Sequence, residues 1–391
     1  MKINILGGGT SGWWTAGYLR RNHPDIEITI IEAPNPVVHA VGVGESSMPN
    51  VRAFFEELAI NEDDWLDTCS GIRKQCNIRS NFSGENDDPL KFLFIHSGFA
   101  EWFEKYKKGE VTKASMYDLY DQDDWRGYAY HIDSSQAWQI VKEQTNGITH
   151  IVKEVKSKSD LPPADLHIDC SGFSRVLVKD KTIKRYPNLN NNACVVRRIE
   201  RPPNPYTETT ARDYGWEFKI SLSDNRAGCG YVFDSNFISI EEAKEEYMRC
   251  NANETFLSDF RVLQWEPGRL THAWQGDVVA VGLSAGFIEP LESNGLSIMI
   301  SQIRTLSKVL YKPNREKIFN RMTNHVYDEV ADFLWHSYAC TNRSDTDYWK
   351  EKAALDGEAT LWKRIEERTN LQQHLYPSYV YAYLAIYYNL I

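Results

Sequence analysis

Three glycines near the start of the chain have the spacing of a phosphate-binding turn. Gly7, Gly9 and Gly12 form the pattern G-x-G-x-x-G directly after an apolar segment that contains Ile3 and Ile5. One glycine allows the tight turn, one admits a pyrophosphate against the backbone, and one lets the next helix pack on its strand. A pyrophosphate there would lie on the N–H groups and the positive dipole end of that helix.

A carboxylate follows where a dinucleotide site needs one. Residues 27–31 are typical of a second strand, and Glu32 at its end comes twenty residues after Gly12. At that distance an acidic side chain can bind a ribose hydroxyl of adenosine. These residues predict a dinucleotide site, and they leave FAD and NAD as alternatives.

A second group of chemically capable residues lies at 289–295. Glu289 and Glu292 stand on either side of Pro290 in an apolar segment, where an isolated buried charge is costly. Either these carboxylates are exposed in a loop between a strand and a helix, or one of them has a chemical task. Asn294 and Gly295 are at the predicted start of the next helix, where backbone N–H groups can bind an anion.

Lys74 and His96 lie on apolar strand segments, but the local pattern alone assigns neither of them a function. A lysine on a strand usually points to water. A histidine at the end of an apolar run is more often a hydrogen-bonded core residue than a catalytic one. A site that contains either residue therefore needs support from outside the local pattern.

Strand and helix patterns alternate along the chain, which predicts an α/β fold. Apolar strands that open into small-residue turns are predicted at 164–172 and 277–286, and a hairpin is predicted over 214–235. Ser239 and Glu242 form a capping box for a helix that reaches about Cys250. Further helices are predicted at 50–60, 134–146, 296–310 and 315–338, and residues 100–128 are predicted to cover the core.

The composition narrows the class of protein. The formal net charge is −10 and there is no long basic block, which disfavours nucleic-acid binding. The seven cysteines are scattered and never form C-x-x-C, which favours free thiols and argues against a metal site. No apolar run approaches the roughly 20 residues of a bilayer span. With a core strand at the very start, we expect no signal peptide and a cytoplasmic protein.

Taken together, the motifs resemble those of the flavin-dependent tryptophan halogenases. The resemblance covers most of residues 1–350 and includes Lys74. It also rests on the segments GGGTSGWW (7–14), GVGESSMP (42–49), HID (131–133), IDCSGF (168–173), GWEFKIS (215–221), GCGYVF (228–233), VGLSAGFIEPLES (281–293) and YACTNRSDTDYW (338–349).

The resemblance implies a halogenation reaction. Reduced FAD from a separate flavin reductase, oxygen and a halide (chloride, bromide or iodide) would give hypohalous acid, which passes through a tunnel to a small aromatic substrate. Lys74, Glu292 and Ser293 match the catalytic residues, Asn294 and Gly295 match the halide site, and His96 matches a substrate-stacking histidine. The cofactor-binding residues implied are Gly7, Gly9, Thr10, Ser11, Gly12, Glu32, Gly44, Glu45, Ser46, Asp169, Gly282 and Leu283.

The implied architecture is a Rossmann-like FAD-binding module of the flavin monooxygenase type with an added, largely helical substrate-binding module. We expect the FAD-binding module at 1–300, with cover segments inserted at about 50–130, and the helical module at 301–391. We also expect a homo-oligomer, and no metal, nucleic acid or membrane as a partner.

Three features depart from the family pattern. The W-x-W-x-I-P motif reads here as WEFKIS, with Phe218 and Ser221 in place of its second tryptophan and its proline. Arg73 beside Lys74 makes the register ambiguous, although counting from the preceding helix favours Lys74. The chain ends at Ile391, so we expect a more open pocket and a substrate that need not be free tryptophan.

Other functions are compatible with parts of the sequence. The altered tryptophan motif is compatible with an FAD-dependent aromatic monooxygenase that uses no halide. A flavin-binding protein without catalysis is disfavoured, because Lys74, Glu292 and Ser293 are all present. A plain NAD dehydrogenase would leave the later strand-end motifs without a role.

Overall fold

The computed structural model describes residues 1–34, 45–84, 87–94, 98–120, 127–367, 375–376 and 378–390. It contains helices and strands in alternation, which confirms the predicted α/β class. The helices are α1 Thr10–Asn22, α2 Asn50–Leu58, α3 Glu62–Thr68, α4 Phe99–Lys107, α5 Gln139–Gln144, α6 Ile240–Cys250, α7 Asn294–Val309, α8 Arg315–Ala339, α9 Asp347–Ala353, α10 Glu358–Glu367 and α11 Ser378–Tyr387. The strands are β1 Lys2–Leu6, β2 Glu27–Glu32, β3 Glu45–Ser46, β4 Ile72–Lys74, β5 Cys76–Ser80, β6 Leu90–Leu93, β7 Ala129–Ile132, β8 Ile148–Val152, β9 Leu166–Asp169, β10 Ile183–Lys184, β11 Ala193–Glu200, β12 Tyr206–Arg212, β13 Gly215–Ser221, β14 Arg226–Phe233, β15 Arg261–Gln264, β16 Gly268–Leu270, β17 Trp274–Gln275, β18 Val278–Ala280 and β19 Gly286–Phe287.

Two compact units make up the chain, and their segments alternate along the sequence. The first unit is Met1–Gly71, Ile132–Tyr186 and Trp265–Tyr327, and the second is Ile72–His131, Pro187–Gln264 and Asp328–Ile391. This division differs from the boundary near residue 300 that the sequence suggested. The difference arises because distant segments pair in one sheet, as β5 does with β12, and local patterns do not reveal such pairs.

The first unit is organised on a six-stranded sheet in the order β17-β18-β9-β1-β2-β8. Strands β18, β9, β1, β2 and β8 run parallel, whereas β17 pairs with β18 antiparallel. The apolar residues of β1 and β9 are buried, as parallel strands covered on both faces require. Since parallel strands end at a common edge, the turns that follow β1, β2, β9 and β18 are brought together.

The turn between β1 and α1 depends on glycine at two positions. Gly7 has a φ of 121°, and a Cβ atom there would lie 2.4 Å from the carbonyl oxygen of Cys170. A Cβ atom at Gly12 would lie 1.9 Å from the carbonyl oxygen of Gly7. The start of α1 can therefore approach the sheet edge only because these residues have no side chain.

The second unit contains a seven-stranded sheet in the order β15-β11-β14-β13-β12-β5-β6. The predicted hairpin is confirmed as β13 and β14, and the predicted Ser239–Glu242 capping box begins α6. Strand β4 pairs antiparallel with β7, so that Lys74 lies opposite Ala129. Among the described residues, no helix combines the length and the apolar character needed to cross a bilayer.

We predict that Gly12→Ala destabilises the fold and that Gly9→Ala does not do so to the same extent. At Gly12 the added methyl group meets backbone that cannot move aside, whereas at Gly9 it has no other atom within 4 Å. Urea unfolding should show a loss of about 2 kcal/mol or more for Gly12→Ala. Gly9 begins α1 without a side-chain cap, so its replacement should cost at most about 1 kcal/mol. Equal stability of the two variants would contradict this packing.

Candidate active site

The carboxyl edge of the first unit's sheet brings four of the predicted cofactor residues together. Leu6, which precedes Gly7, pairs with Ile31 on one side and with Asp169 on the other. Ala280 of β18 pairs with Asp169 in turn. Gly7, Glu32, Asp169 and Gly282 thus stand at the ends of adjacent strands, where open α/β sheets bind their ligands.

The start of α1 is open to a phosphate group. A Cβ atom added at Gly9 would meet nothing within 4 Å, and Gly9 provides no side-chain cap for the helix. The hydroxyl of Thr10 donates to the carbonyl oxygen of Ser134 at 3.1 Å, and that of Ser11 contacts Sδ of Met299 at 3.1 Å. Because those hydroxyls are engaged by the protein, backbone N–H groups are what this turn can offer an anion.

Glu32 ends β2 beside this turn. Its Oε2 atom lies 2.9 Å from Nε2 of His150, and a Cβ atom at Gly8 would lie 2.3 Å from its carboxyl carbon. The contact with Gly8 places the carboxylate against the glycine turn itself. A carboxylate at this point has the position that ribose binding requires.

Asp169, predicted to bind the cofactor, is fully buried and holds its own loop together. Its Oδ1 atom accepts hydrogen bonds from the N–H group and the hydroxyl of Ser171, at 2.9 and 2.6 Å. Its Oδ2 atom accepts from the N–H group of Leu177 at 2.7 Å, and the hydroxyl of Ser284 lies 3.1 Å from Oδ1. Asp169 therefore orders the two loops that follow β9 and β18.

The loop that contains Gly282 and the half-buried Leu283 packs against α1 and α7. Gly282 has a φ of 68°, and a Cβ atom there would lie 2.3 Å from Oγ of Ser11. Its N–H group donates to Oε1 of Gln302 at 2.8 Å. Gln302, on α7, was not singled out by the sequence, because a lone glutamine on a helix carries no local signal.

Glu45 and Ser46 form the short strand β3, whereas the predicted Gly44 lies outside the described residues. Removal of the carboxylate from water raises the pKa of Glu45. A hydrogen bond with Ser134 opposes this shift, and the negative charge of Asp133 adds to it. Since Thr10 also contacts Ser134, Glu45 belongs to the surroundings of the glycine turn.

The turn before α7 is strained at the predicted catalytic residues. Glu292 has φ 62° and ψ 21°, and Ser293 has φ 61° and ψ 33°, so both adopt the left-handed conformation. Such residues cost about 1–3 kcal/mol each when they are not glycine. The exposed fractions are only 1% for Glu289 and 8% for Glu292, so these carboxylates are not exposed in a loop.

Beyond this turn, α7 begins with Asn294 and Gly295. The side chain of Asn294 is buried, and its Nδ2 atom donates to the carbonyl oxygens of Leu291 and Glu289 at 2.7 and 3.1 Å. Gly295 is exposed, and a Cβ atom there would meet nothing within 4 Å. The first N–H groups of this helix therefore adjoin open space, as an anion site requires.

Lys74 lies in the second unit and is fully buried, whereas the neighbouring Arg73 is exposed. The general expectation that a strand lysine points to water is therefore wrong for Lys74, because strand alternation turns it inward. Its ammonium lies 5.5 Å from the ring centroid of Phe94, at the distance of a cation–π contact. His96 lies outside the described residues.

His131 is a buried neighbour of Lys74. The sequence indicated this histidine only as part of the HID motif. Its Nδ1 atom lies 3.0 Å from the carbonyl oxygen of Ser221, and Nε2 lies 2.8 Å from the hydroxyl of Thr207. Burial first, and the positive charge of Lys74 second, lower the pKa of His131 to about 3. The ring is therefore neutral, with a proton on Nδ1, because a carbonyl oxygen can only accept.

The altered tryptophan motif lies on β13 of the second unit. Trp216 and Phe218 are both buried, with ring centroids 6.0 Å apart. A Cβ atom at Gly230 would lie 2.7 Å from the ring of Phe218. This glycine on the neighbouring strand β14 therefore makes the space that Phe218 fills.

The donor set of the first unit suits an anionic nucleotide. In the described part of the chain, no group of three or more His, Cys, Asp or Glu side chains could hold a metal. The first unit offers instead a glycine turn with open space at Gly9, an acidic strand end at Glu32, and open space at Gly295. The residues present therefore fit a bound dinucleotide and a small anion.

This fold defines a dinucleotide-binding α/β protein in which the start of a second helix, α7, adjoins open space at Gly295. A family model of tryptophan halogenases matches residues 2–105 and 105–385. The chain therefore belongs to the tryptophan halogenase family. The family and the flavin-dependent halogenase class predicted from the sequence are confirmed.

Individual relatives agree with this assignment. Tryptophan 7-halogenase KtzQ of Kutzneria sp. (strain 744) is 30% identical over 432 residues, or 92% of this chain and 80% of that protein. The solved structure of tryptophan 6-halogenase SttH from Streptomyces toxytricini has a TM-score of 0.83 at 25% identity, over 98% of this chain and 89% of that one. BrvH, a flavin-dependent halogenase from Brevundimonas sp. BAL3, has the same fold, with a TM-score of 0.85 at 23% identity over 99% and 90% of the two chains.

We predict that His131 makes the stability of the protein depend on pH. The pKa of this histidine falls from 6.5 in the unfolded chain to about 3 in the fold, so only the unfolded chain takes up the proton between these values. The free energy of unfolding should therefore decrease as the pH falls below 6.5, by up to about 1.4 kcal/mol per pH unit.

Urea titrations between pH 7.5 and 5 measure this slope, and His131→Gln should lower it by the contribution of one proton. His23→Gln is the matched control, because His23 is only partly buried and its Nε2 atom lies 2.9 Å from the hydroxyl of Ser307. An unchanged slope in His131→Gln would show that His131 is not a neutral buried group.

Proposed function

We propose that this protein uses FADH2, oxygen and a halide to form hypohalous acid, which Lys74 and Glu292 direct onto an electron-rich, indole-like aromatic substrate. The names of the relatives, which are tryptophan halogenases, support this proposal. Bound FADH2, delivered by a separate flavin reductase, supplies two electrons to oxygen, so that FADH2, O2, halide and a proton give FAD, water and hypohalous acid. Hypohalous acid then replaces one ring hydrogen with halogen, and water leaves.

The observation that carries this proposal is the position of α7 in the first unit. Met299 and Gln302 of this helix contact Ser11 and Gly282, which belong to the nucleotide site. Asn294, at the start of the same helix, comes five residues before Met299. At a rise of 1.5 Å per residue, Asn294 lies about 8 Å along the helix axis from Met299, which contacts Ser11 beside the glycine turn.

The cofactor would be held by the edge of the parallel sheet. Backbone N–H groups of the glycine turn would bind the pyrophosphate, and Glu32 would bind the ribose. Asp169 would act through the loops that it orders, and Leu283 lies in one of these loops. The residues proposed for the cofactor are Gly7, Gly9, Thr10, Ser11, Gly12, Glu32, Gly44, Glu45, Ser46, Asp169, Gly282 and Leu283.

The halide would bind at the N–H groups of Asn294 and Gly295. A helix start attracts an anion through these groups and through the helix dipole. The adjacent Glu292 carboxylate would polarise the oxidant and accept the ring proton, and Ser293 would contribute beside it. The strain at Glu292 and Ser293 supports this role, because strained residues cluster at functional sites.

Lys74 would hold the oxidant by a hydrogen bond from its ammonium or would carry the halogen on its amine. Burial supports both possibilities, since a donor kept from water acts more strongly on its partner. The neutral state of His131 adds no second positive charge beside it. His96 remains our prediction for the residue that stacks on the substrate.

An FAD-dependent aromatic monooxygenase remains the second candidate. The replacement of the second family tryptophan by Phe218 favours it, because Phe218 lacks the larger indole ring in a buried position. This activity would insert oxygen and would not depend on a halide. The two candidates therefore differ in their products.

We predict that Lys74→Met lowers kcat for halogenation by about 100-fold or more, since it removes the proposed donor while keeping an apolar side chain of similar length. Arg73→Met is the matched control, because it removes the neighbouring exposed cation and should retain activity. FAD binding, followed by flavin fluorescence, should be unchanged in both variants. Full activity of Lys74→Met would remove Lys74 from the mechanism.

We predict that product formation from an indole panel requires a halide. Turnover with FADH2, oxygen and each of chloride, bromide or iodide should give halogenated products in mass spectra. Omission of all halides should abolish product, because hypohalous acid can no longer form. Hydroxylated product at the same rate with and without halide would instead support the monooxygenase.

A further inference from the structure

We propose that the side chain of Asn294 is a positioning residue that holds Glu292 and Ser293 in their left-handed turn. This turn sets the direction of the Glu292 carboxylate and of the first N–H groups of α7. The inference deepens the halide site and rests on the proposed function. It concerns the Asn294 side chain, whereas the halide itself would contact backbone N–H groups.

The buried side chain of Asn294 makes hydrogen bonds to the backbone of the turn that precedes α7. The side chain has an exposed fraction of 0%, and its Nδ2 atom donates to the carbonyl oxygens of Leu291 and Glu289 at 2.7 and 3.1 Å. The N–H group of Ser293 donates to the carbonyl oxygen of Pro290 at 3.0 Å. The carbonyl groups of residues 289, 290 and 291 thus all accept hydrogen bonds from Ser293 or Asn294.

The chemistry of the side chain matches this task. A primary amide has two N–H donors on one nitrogen atom, which is what two converging carbonyl oxygens require. A serine or threonine hydroxyl has one donor, and a carboxylate has none. The orientation of the amide is determined as well, because the opposite orientation would set its oxygen against the same two carbonyl oxygens.

The same contacts bear on the anion site. In a continuous helix the carbonyl oxygen of Leu291 would accept from the N–H group of residue 295. Here the Asn294 side chain supplies that donor, and the backbone turns left-handed instead of continuing the helix. With the Leu291 carbonyl oxygen bonded by Asn294, the N–H group of the exposed Gly295 would be left for a ligand.

The test uses glycine, which adopts the left-handed conformation without steric cost. In the FAD-loaded protein, Asn294→Ala should release the turn and raise the KM for bromide by about tenfold or more. Adding Ser293→Gly to Asn294→Ala should bring the KM for bromide most of the way back, although kcat should stay low because the proposed Ser293 hydroxyl is missing. Adding Ser293→Ala should not, because alanine pays the same steric penalty as serine.

A second buried asparagine provides the matched control. Asn320 accepts from the N–H group of Trp274 and donates to its carbonyl oxygen, both at 2.8 Å. Asn320→Ala should therefore lower the thermal stability while leaving the KM for bromide unchanged. If Asn294→Ala does not fold, Asn294→Ser, which keeps only one donor, takes its place and should raise the KM for bromide above the wild-type value.

Crystal structures of the variants separate this inference from the proposed function. Asn294→Ala should show a negative φ at residue 292 or 293, and the double variant with Ser293→Gly should restore the left-handed turn. A left-handed turn that persists in Asn294→Ala, or equal rescue by Ser293→Gly and Ser293→Ala, would overturn the inference. Product that forms from the wild-type protein without any halide would instead overturn the halide site, whatever the turn does.

Discussion

Helix α7 imposes the constraint on which the site of the first unit depends. It is anchored to the glycine turn through Met299 and to the loop after β18 through Gln302. Because a helix is rigid over a few turns, these anchors also fix where the helix begins. Its first N–H groups and the preceding Glu292 are thereby held at a set distance from the nucleotide site. The proposed halide site depends on this arrangement, since a halide bound there would have to meet the reduced cofactor without water between them.

The second unit buries a lysine beside a neutral histidine. Lys74 is fully buried on β4, and its neighbour His131 remains neutral because burial and the ammonium both oppose a proton on the ring. The hydrogen bonds of His131 to Ser221 and Thr207 satisfy both ring nitrogens in that neutral state. The neutral ring of His131 therefore adds no positive charge beside the Lys74 ammonium.

Two buried polar residues bond to loops of the protein itself. Asp169 accepts hydrogen bonds from the loops after β9 and β18, and Asn294 donates to two carbonyl groups before α7. A buried polar group must find such partners or destabilise the fold. The strand-end motifs therefore act in part by restraining the loops that follow the strands.

The sequence alone determined the features that depend on neighbours in the chain. The glycine turn before α1, the hairpin of β13 and β14 and the capping box of α6 follow from local spacing, and the structure has all three. The burial of Lys74, the donors around Asp169 and the neutral state of His131 were decided only by tertiary structure. Each depends on side chains from segments far away in the chain, or on burial that a local pattern does not encode. The left-handed pair Glu292–Ser293 is of the same kind, because only surrounding contacts can hold residues with side chains in a conformation that glycine prefers.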